Sequence, residues 1–149
     1  VITATGLNLQ QFGGTEIFVD NNKINPADTM TYKSMMFSGI PNFANSFGYI
    51  NASWTLKADL TSEYVCRLIK HMKKNDFEVV CPKFEVDIEE SDDFLNGFSS
   101  GYIKRAADAQ PKQGKEKPWI NLQDYFKDWI DIKYKKLDDG YLNFSKLEK

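Results

Sequence analysis

Apolar residues recur at four-residue steps between positions 52 and 73: Leu56, Leu60, Tyr64, Leu68 and Met72, with Val65 and Ile69 beside them. One stripe at that spacing predicts a long amphipathic helix over 52–73. Lys57, Glu63, Arg67, Lys70 and Lys74 fall mostly off the stripe. Glu63 and Arg67 stand four apart and suit an ion pair along the helix surface. Asn75 and Asp76 close the helix. A second helix is predicted over 121–135, with Leu122, Tyr125, Phe126, Trp129 and Ile130 on one face. That aromatic stripe is expected to pack in the core rather than to serve as a ligand platform.

The strand signals are shorter. Val1, Ile2, Thr3 and Ala4 are β-prone and stop at Thr5-Gly6, where a second backbone or a ligand could approach closely. Residues 16–19 read as a strand, Asp20-Asn21-Asn22-Lys23 as a turn and Ile24 as the return of a hairpin that Pro26 ends. Residues 29–37 are Met-rich and β-prone, Gly39-Ile40-Pro41-Asn42 is a turn, and 43–47 a short strand. Residues 77–86, interrupted by Pro82, read as an edge strand. Residues 85–93 are acidic and read as a solvated loop. An irregular stretch over 94–109 ends in a short helix around Tyr102, Ile103, Ala106 and Ala107. Residues 111–118 form a polar connection, and 141–144 a closing strand after the Asp138-Asp139-Gly140 turn. The elements mix short strands with helices, an α/β or α+β class.

The joint before the first helix is the candidate site. A turn-rich run reaches Tyr49, and Asn51, Ser53 and Thr55 follow where the helix begins. A helix N-terminus carries unsatisfied N–H groups and partial positive charge, which suits an electron-rich ligand. The same residues also serve as an ordinary Asn or Ser cap. Local chemistry alone leaves both readings open and favours the cap.

A net charge of −2 argues against an electrostatic nucleic-acid binder. No apolar run reaches the roughly 20 residues that span a bilayer, so no integral membrane segment is expected. Cys66 and Cys81 suit neither a disulfide framework nor a metal site. With a single histidine, His71, no metal is expected, and the thiols fit a reducing, cytoplasmic setting. No Gly-x-Ser-x-Gly, P-loop or Gly-x-Gly-x-x-Gly occurs, so a nucleophile elbow and a complete dinucleotide cradle are both missing. Glu89-Glu90 and Asp92-Asp93 are adjacent in an acidic loop and define no shared acid–base pair. No catalytic residue is assigned. The opening Val-Ile-Thr-Ala-Thr-Gly reads as the middle of a longer chain, so a fragment is expected.

An ordered set of short stretches carries a resemblance. They are Thr3-Ala4-Thr5-Gly6-Leu7, Asn8-Leu9-Gln10 with Gly13-Gly14, Asp28-Thr29-Met30 with Tyr32-Lys33, and Met35-Met36-Phe37-Ser38-Gly39. Pro41-Asn42 and residues 47–60 continue it. Ser100-Gly101-Tyr102, Pro111-Lys112-Gln113-Gly114, Pro118-Trp119 and Tyr125-Phe126 complete it. Together they resemble the C-terminal part of a class B flavoprotein monooxygenase, of the Baeyer–Villiger type that includes the thioamide-activating enzymes. The family usually carries Gly where Ser34 stands here.

The resemblance implies an α/β fragment of a flavoprotein with two dinucleotide-binding domains, for FAD and NAD(P), with short strands, a long amphipathic helix and a helical tail. Residues 1–6 would end the nicotinamide-binding domain, 7–75 would complete the FAD-binding domain, and 76–149 would be a tail packing on the enzyme. The complete enzyme would use FAD and NADPH to insert one oxygen atom of O₂ into a ketone or a sulfur or nitrogen compound, through a C4a-peroxyflavin. Thr5, Gly6, Asn51, Ala52, Ser53, Trp54 and Thr55 would meet the cofactor, the helix start acting chiefly through backbone N–H groups. Trp54 would also wall the substrate pocket. Met35, Met36 and Phe37 are expected in the core. The partner would be the missing N-terminal part of the same enzyme. The fragment alone is expected to be inactive, to bind neither cofactor and to be prone to self-association. The alternative is a self-standing, non-catalytic interaction domain using residues 122–130 against a partner.

Overall fold

A computed structural model describes residues 1–3, 10–83, 88–91, 101, 105–106 and 109–147. Thr5, Gly6, the 94–100 stretch and most of the short helix expected near residue 103 lie outside the described residues.

The predicted hairpin forms, with a tighter turn. Strand β1 (Phe18–Val19) pairs antiparallel with β2 (Asn22–Lys23). Asp20 and Asn21 alone make the turn, at φ +49° and +64°. These residue types tolerate the left-handed region that a two-residue hairpin loop demands. The Met-rich stretch becomes a second hairpin, β3 (Thr31–Tyr32) against β4 (Met36–Phe37). Its loop holds Lys33 at φ +49° and Ser34 at φ +58°. Both are non-glycine residues held in the left-handed region that favours glycine.

Helix α1 (Trp54–Asn75) begins two residues later than predicted, because Ser53 is extended at ψ 134°. It ends as expected, on Asp76 in the left-handed region at φ +57°. Strand β5 (Val79–Pro82) follows and pairs antiparallel with β6 (Leu142–Ser145). Between them, helix α2 (Tyr125–Tyr134) is shorter than the predicted 121–135. Gln123 sits at φ +51° and stops the helix extending backwards. The Asp124 side chain then caps it, accepting a hydrogen bond from the Lys127 N–H at 3.1 Å.

One predicted strand does not form: residues 43–47 take no strand conformation, and the Asn45 N–H donates instead to Met35 O at 2.7 Å. Residues 1–3 are exposed and lie in no strand, and the rest of that predicted strand lies outside the described residues. The described residues thus hold two α-helices and three separate two-stranded sheets. Among the described residues beyond position 76, β5 and β6 flank the 10-residue helix α2.

One buried cluster joins both halves of the sequence. Met30, Tyr32, Met35 and Met36 pack with Leu60, Tyr64 and Leu68 of α1, and with Val80, Trp119, Ile132 and Leu142. The polar 111–118 connection is part of this fabric. The N–H of Thr31 donates to Lys112 O at 2.9 Å, that of Lys112 to Thr29 O at 2.8 Å, and that of Lys33 to Pro118 O at 2.7 Å. The described part of the acidic stretch is tied down as well. Glu90 pairs with Lys112 at 2.7 Å, Glu89 pairs with Lys115, and the Ser91 N–H donates to Gln113 O.

Candidate functional site

The start of α1 is open. Residues 51–56 are all exposed. The Ser53 side chain makes no capping bond to the helix; its hydroxyl is bonded to the Thr55 hydroxyl at 2.7 Å. Asn51 does not cap the helix either. Its amide donates to Gln123 O at 2.9 Å, and the Ile50 N–H donates to the Gln123 side chain at 2.8 Å. The two contacts fasten the approach to α1 onto the turn before α2. Trp54 is 57% exposed, and its ring packs at 5.2 Å between centroids from that of Phe47. It also lies on the Gly48 backbone, where an added Cβ would meet the indole at 2.3 Å. Glycine at 48 is therefore what lets Trp54 sit there. The structure thus gathers Asn51, Ala52, Ser53, Trp54 and Thr55 in one exposed turn with free capping valence; Thr5 and Gly6 lie outside the described residues.

One turn further along, the surroundings change completely. Lys57 is buried, and its Nζ donates to Asp128 Oδ2 of α2 at 2.8 Å. The Tyr49 hydroxyl donates to the same oxygen at 2.8 Å. Burial lowers the Lys57 pKa, and the Asp128 charge opposes that. Burial raises the Tyr49 pKa, and the bond to Asp128 adds to it. Lys57 was expected off the apolar stripe; the buried face of α1 is instead Lys57, Leu60, Thr61, Tyr64 and Leu68, while Leu56 and Ile69 are exposed.

A second buried lysine meets the next turn of α2. Lys33 Nζ donates to Asp131 Oδ2 at 2.6 Å and lies 3.8 Å from Asp139 Oδ2. Asp131 Oδ1 faces Lys135 at 2.8 Å and Lys117 at 3.7 Å. Burial alone would raise the Asp131 pKa; the hydrogen bonds from Lys135 and Lys33 and the nearby lysine charges overcome it and hold it at about 2. The Tyr32 hydroxyl donates to Asp139 at 2.7 Å and lies 3.0 Å from that of Tyr64. Burial, then Tyr64 and Asp139, push the Tyr32 pKa well above the ordinary phenol value. With its O–H donating to Asp139, the Tyr32 oxygen accepts from Tyr64, so the hydroxyls of Tyr64 and Tyr32 and the Asp139 carboxylate form one buried chain.

The expected Glu63–Arg67 pair is replaced by contacts to α2. Glu63 pairs with Lys133 at 2.8 Å. Arg67 donates to Ile132 O and, at 2.9 Å, to Lys135 O, the unsatisfied carbonyl end of α2 where a cation is favoured. Contacts advance together from Lys57–Asp128 to Arg67–Lys135, so the helices run side by side in one direction. A sequence signal for this lock existed in Asp128 and Asp131. They stand three apart on the face of α2 that also carries Tyr125 and Ile132.

Other candidates stay apart. His71 lies against the Phe77 and Phe144 rings, at 6.3 and 5.1 Å. Cys66 is exposed and Cys81 half-buried, both as free thiols. A cleft of about 380 Å³ is lined by Ile88, Glu89, Lys115, Glu116, Lys117, Trp119 and Tyr141 and includes no residue of the α1 start. Among the described residues no helix is long and apolar enough to cross a membrane.

Comparison with known proteins gives a consistent result. The chain is 47% identical over 146 residues to the FAD-containing monooxygenase EthA of Mycolicibacterium smegmatis, a match covering 98% of this chain and 30% of that protein. It is 46% identical over 146 residues to a probable FAD-binding monooxygenase AlmA of an Acinetobacter species, covering 98% of this chain and 29% of the relative. It is 40% identical over 145 residues to the putative FAD-containing monooxygenase MymA of Mycobacterium tuberculosis, covering 97% and 29%. The resemblance to flavin monooxygenases holds along nearly the whole chain, which spans about 30% of the length of these relatives. No family model and no solved structure matches.

Proposed function

We propose, from a chain 40–50% identical over 97–98% of its length to FAD-containing monooxygenases, that it is one part of such an enzyme. That extent of identity is the observation that carries the reading. In it, residues 1–6 end a nicotinamide-binding domain, 7–75 complete an FAD-binding domain, and 76–149 are a tail fastened to it. The complete enzyme is FAD- and NADPH-dependent, of Baeyer–Villiger type, and transfers one oxygen atom of O₂ to a ketone or a sulfur or nitrogen compound. A reducing cytoplasm suits its free thiols.

The α1 start fits a flavin in one respect: its N–H groups take no side-chain cap, and residues 51–56 are exposed. A bound flavin supplies the oxygen chemistry, with electrons from NADPH. The backbone N–H groups of Ser53, Trp54 and Thr55 would face its electron-rich edge, where the helix dipole favours negative charge. Ala52 keeps the approach unobstructed. Asn51 contributes indirectly, by pinning the turn to Gln123. Trp54 walls the substrate side. Thr5 and Gly6 let the backbone pass close to the cofactor.

The test is a splice. This chain replaces the matching 146 residues of the M. smegmatis relative. The spliced protein is expected to bind flavin and to consume NADPH with oxygenation of a thioether or ketone. The isolated chain is expected to do neither, lacking any Gly-rich nucleotide cradle. A flavin-free spliced protein of native fold, or oxygenation by the isolated chain, overturns the reading. A second reading, a non-catalytic interaction domain, is favoured by exposed Phe126 and Ile130 on α2; it predicts a stable isolated chain and a flavin-free splice.

A further inference from the structure

Helix α2 has two unlike faces. One is locked by Asp128, Asp131 and Ile132. The other carries Phe126, Ile130 and Tyr134, which are 75%, 51% and 67% exposed. Steps of four place the three on one stripe. Single exposed apolar residues need no explanation, but a continuous line of three does. The residues behind them are packed against the stripe. Tyr125 packs on Phe126 with centroids 5.6 Å apart, and Trp129 on Tyr134 at 5.1 Å. Charges beside the stripe are already paired within the chain: Lys127 with Asp124, Lys133 with Glu63, Lys135 with Asp131. The surface therefore asks for an apolar occupant rather than a charged one.

We infer that the Phe126–Ile130–Tyr134 stripe of α2 is the seat of the rest of the same polypeptide, the part that accounts for about 70% of the length of relatives of which this chain spans 30%. The inference rests on the reading of the chain as part of a flavin monooxygenase. Area decides between that occupant and a second copy. Three such side chains at these exposures offer roughly 400 Å² of apolar surface, large side chains burying ~150–250 Å² each. A stable interface between separate molecules buries about 800 Å² from each partner, polar and apolar together, over roughly 20–30 residues, of which this three-residue stripe would be only a part. A covalently joined partner has no such requirement, because linkage supplies a high effective concentration.

The experiment is covalent footprinting of side-chain exposure by mass spectrometry, on the isolated chain and on the spliced protein. Labelling of Phe126 and Tyr134 is expected to fall severalfold in the spliced protein, and Phe126→Glu with Ile130→Glu is expected to restore it at Tyr134. If the splice is insoluble, the chain is mixed with the separately produced remainder of the relative and the same protection is read. Unchanged labelling overturns the inference even when flavin is bound, leaving the functional reading intact. Protection without flavin upholds the seating of the stripe on the rest of the polypeptide and overturns the flavin contact proposed at the start of α1. Protection in the isolated chain at rising concentration is the self-association expected of an uncovered stripe; protection in the spliced protein that appears only as a dimer forms by light scattering assigns the face to a second copy and overturns the inference.

Discussion

Between Leu56 and Lys57, exposure falls from 36% to 2%. On one side of that step, the start of α1 holds polar residues with an unused cap and an indole resting on a glycine. On the other, the same helix is bolted to α2 by a lysine, a tyrosine and an aspartate. The open side spends little on holding itself together and keeps its N–H groups available. The locked side is where removing one atom group leaves a buried charge. The locked part of α1 and the open start at which a flavin contact is proposed are thus separated by a single residue.

The sharpest way to break this comparison is Asp128→Ala. It leaves Lys57 buried against Tyr49 with no carboxylate, and loss of one partner of a buried pair costs about 3–5 kcal/mol. That is a large share of the stability of any domain. Urea unfolding followed by circular dichroism measures it. The triple change Lys57→Met, Asp128→Leu and Tyr49→Phe is expected to recover most of the loss, since it leaves neither a buried charge nor the Tyr49 hydroxyl without a partner. A cost under ~1 kcal/mol for Asp128→Ala, typical of surface pairs, would erase the distinction between the two regions.

Acid sharpens it next. The Asp131 pKa is depressed in the folded chain, from the ordinary 3.8 to about 2. A depressed carboxyl contributes stability that is fully present above its unfolded value and is lost as pH falls through the folded one. The contribution is on the order of 2 kcal/mol, disappearing between about pH 4 and pH 2. Unfolding midpoints measured across that window should fall steeply for the native chain. Asp131→Asn should flatten the fall while lowering stability at neutral pH.

Much of the frame was legible from periodicity. Four-residue steps located both helices, and Asp20-Asn21 located the first hairpin, because those signals are local. Asp128 and Asp131 on one face of α2 hinted at the lock, but their partners were not legible, since Lys57 and Asp128 are 71 positions apart and Lys33 and Asp131 are 98 apart. A lysine reads as a surface residue until its partner is in place, and only the tertiary pairing moves it inside. The same logic misplaced Arg67, which found helix-end carbonyls in preference to the carboxylate one turn away. Phe126 and Ile130 failed in the opposite direction. Apolar pattern assigned them to a core, whereas the described chain leaves them outside. At the candidate site, the location of the helix start was legible in Asn51, Ser53 and Thr55. Its openness was not, because the same residue types serve equally as caps.

The smallest expected effect is the most specific, because the two helices offer paired controls. Each begins on a residue suited to capping, Ser53 for α1 and Asp124 for α2. Asp124 accepts the Lys127 N–H and is used; Ser53 turns its hydroxyl to Thr55 and is not. Asp124→Ala should therefore cost about 1 kcal/mol, the usual loss for a working cap. Ser53→Ala should cost no more than ~0.5 kcal/mol, as for a surface position with no special contact. Thermal unfolding of the two variants side by side measures the difference. Equal costs would mean that Ser53 caps α1 in solution, and its first N–H groups would then be satisfied, which would remove the support for the proposed flavin contact. A near-silent Ser53→Ala beside a costly Asp124→Ala keeps the start of α1 as the end of the molecule with hydrogen-bonding capacity to spare.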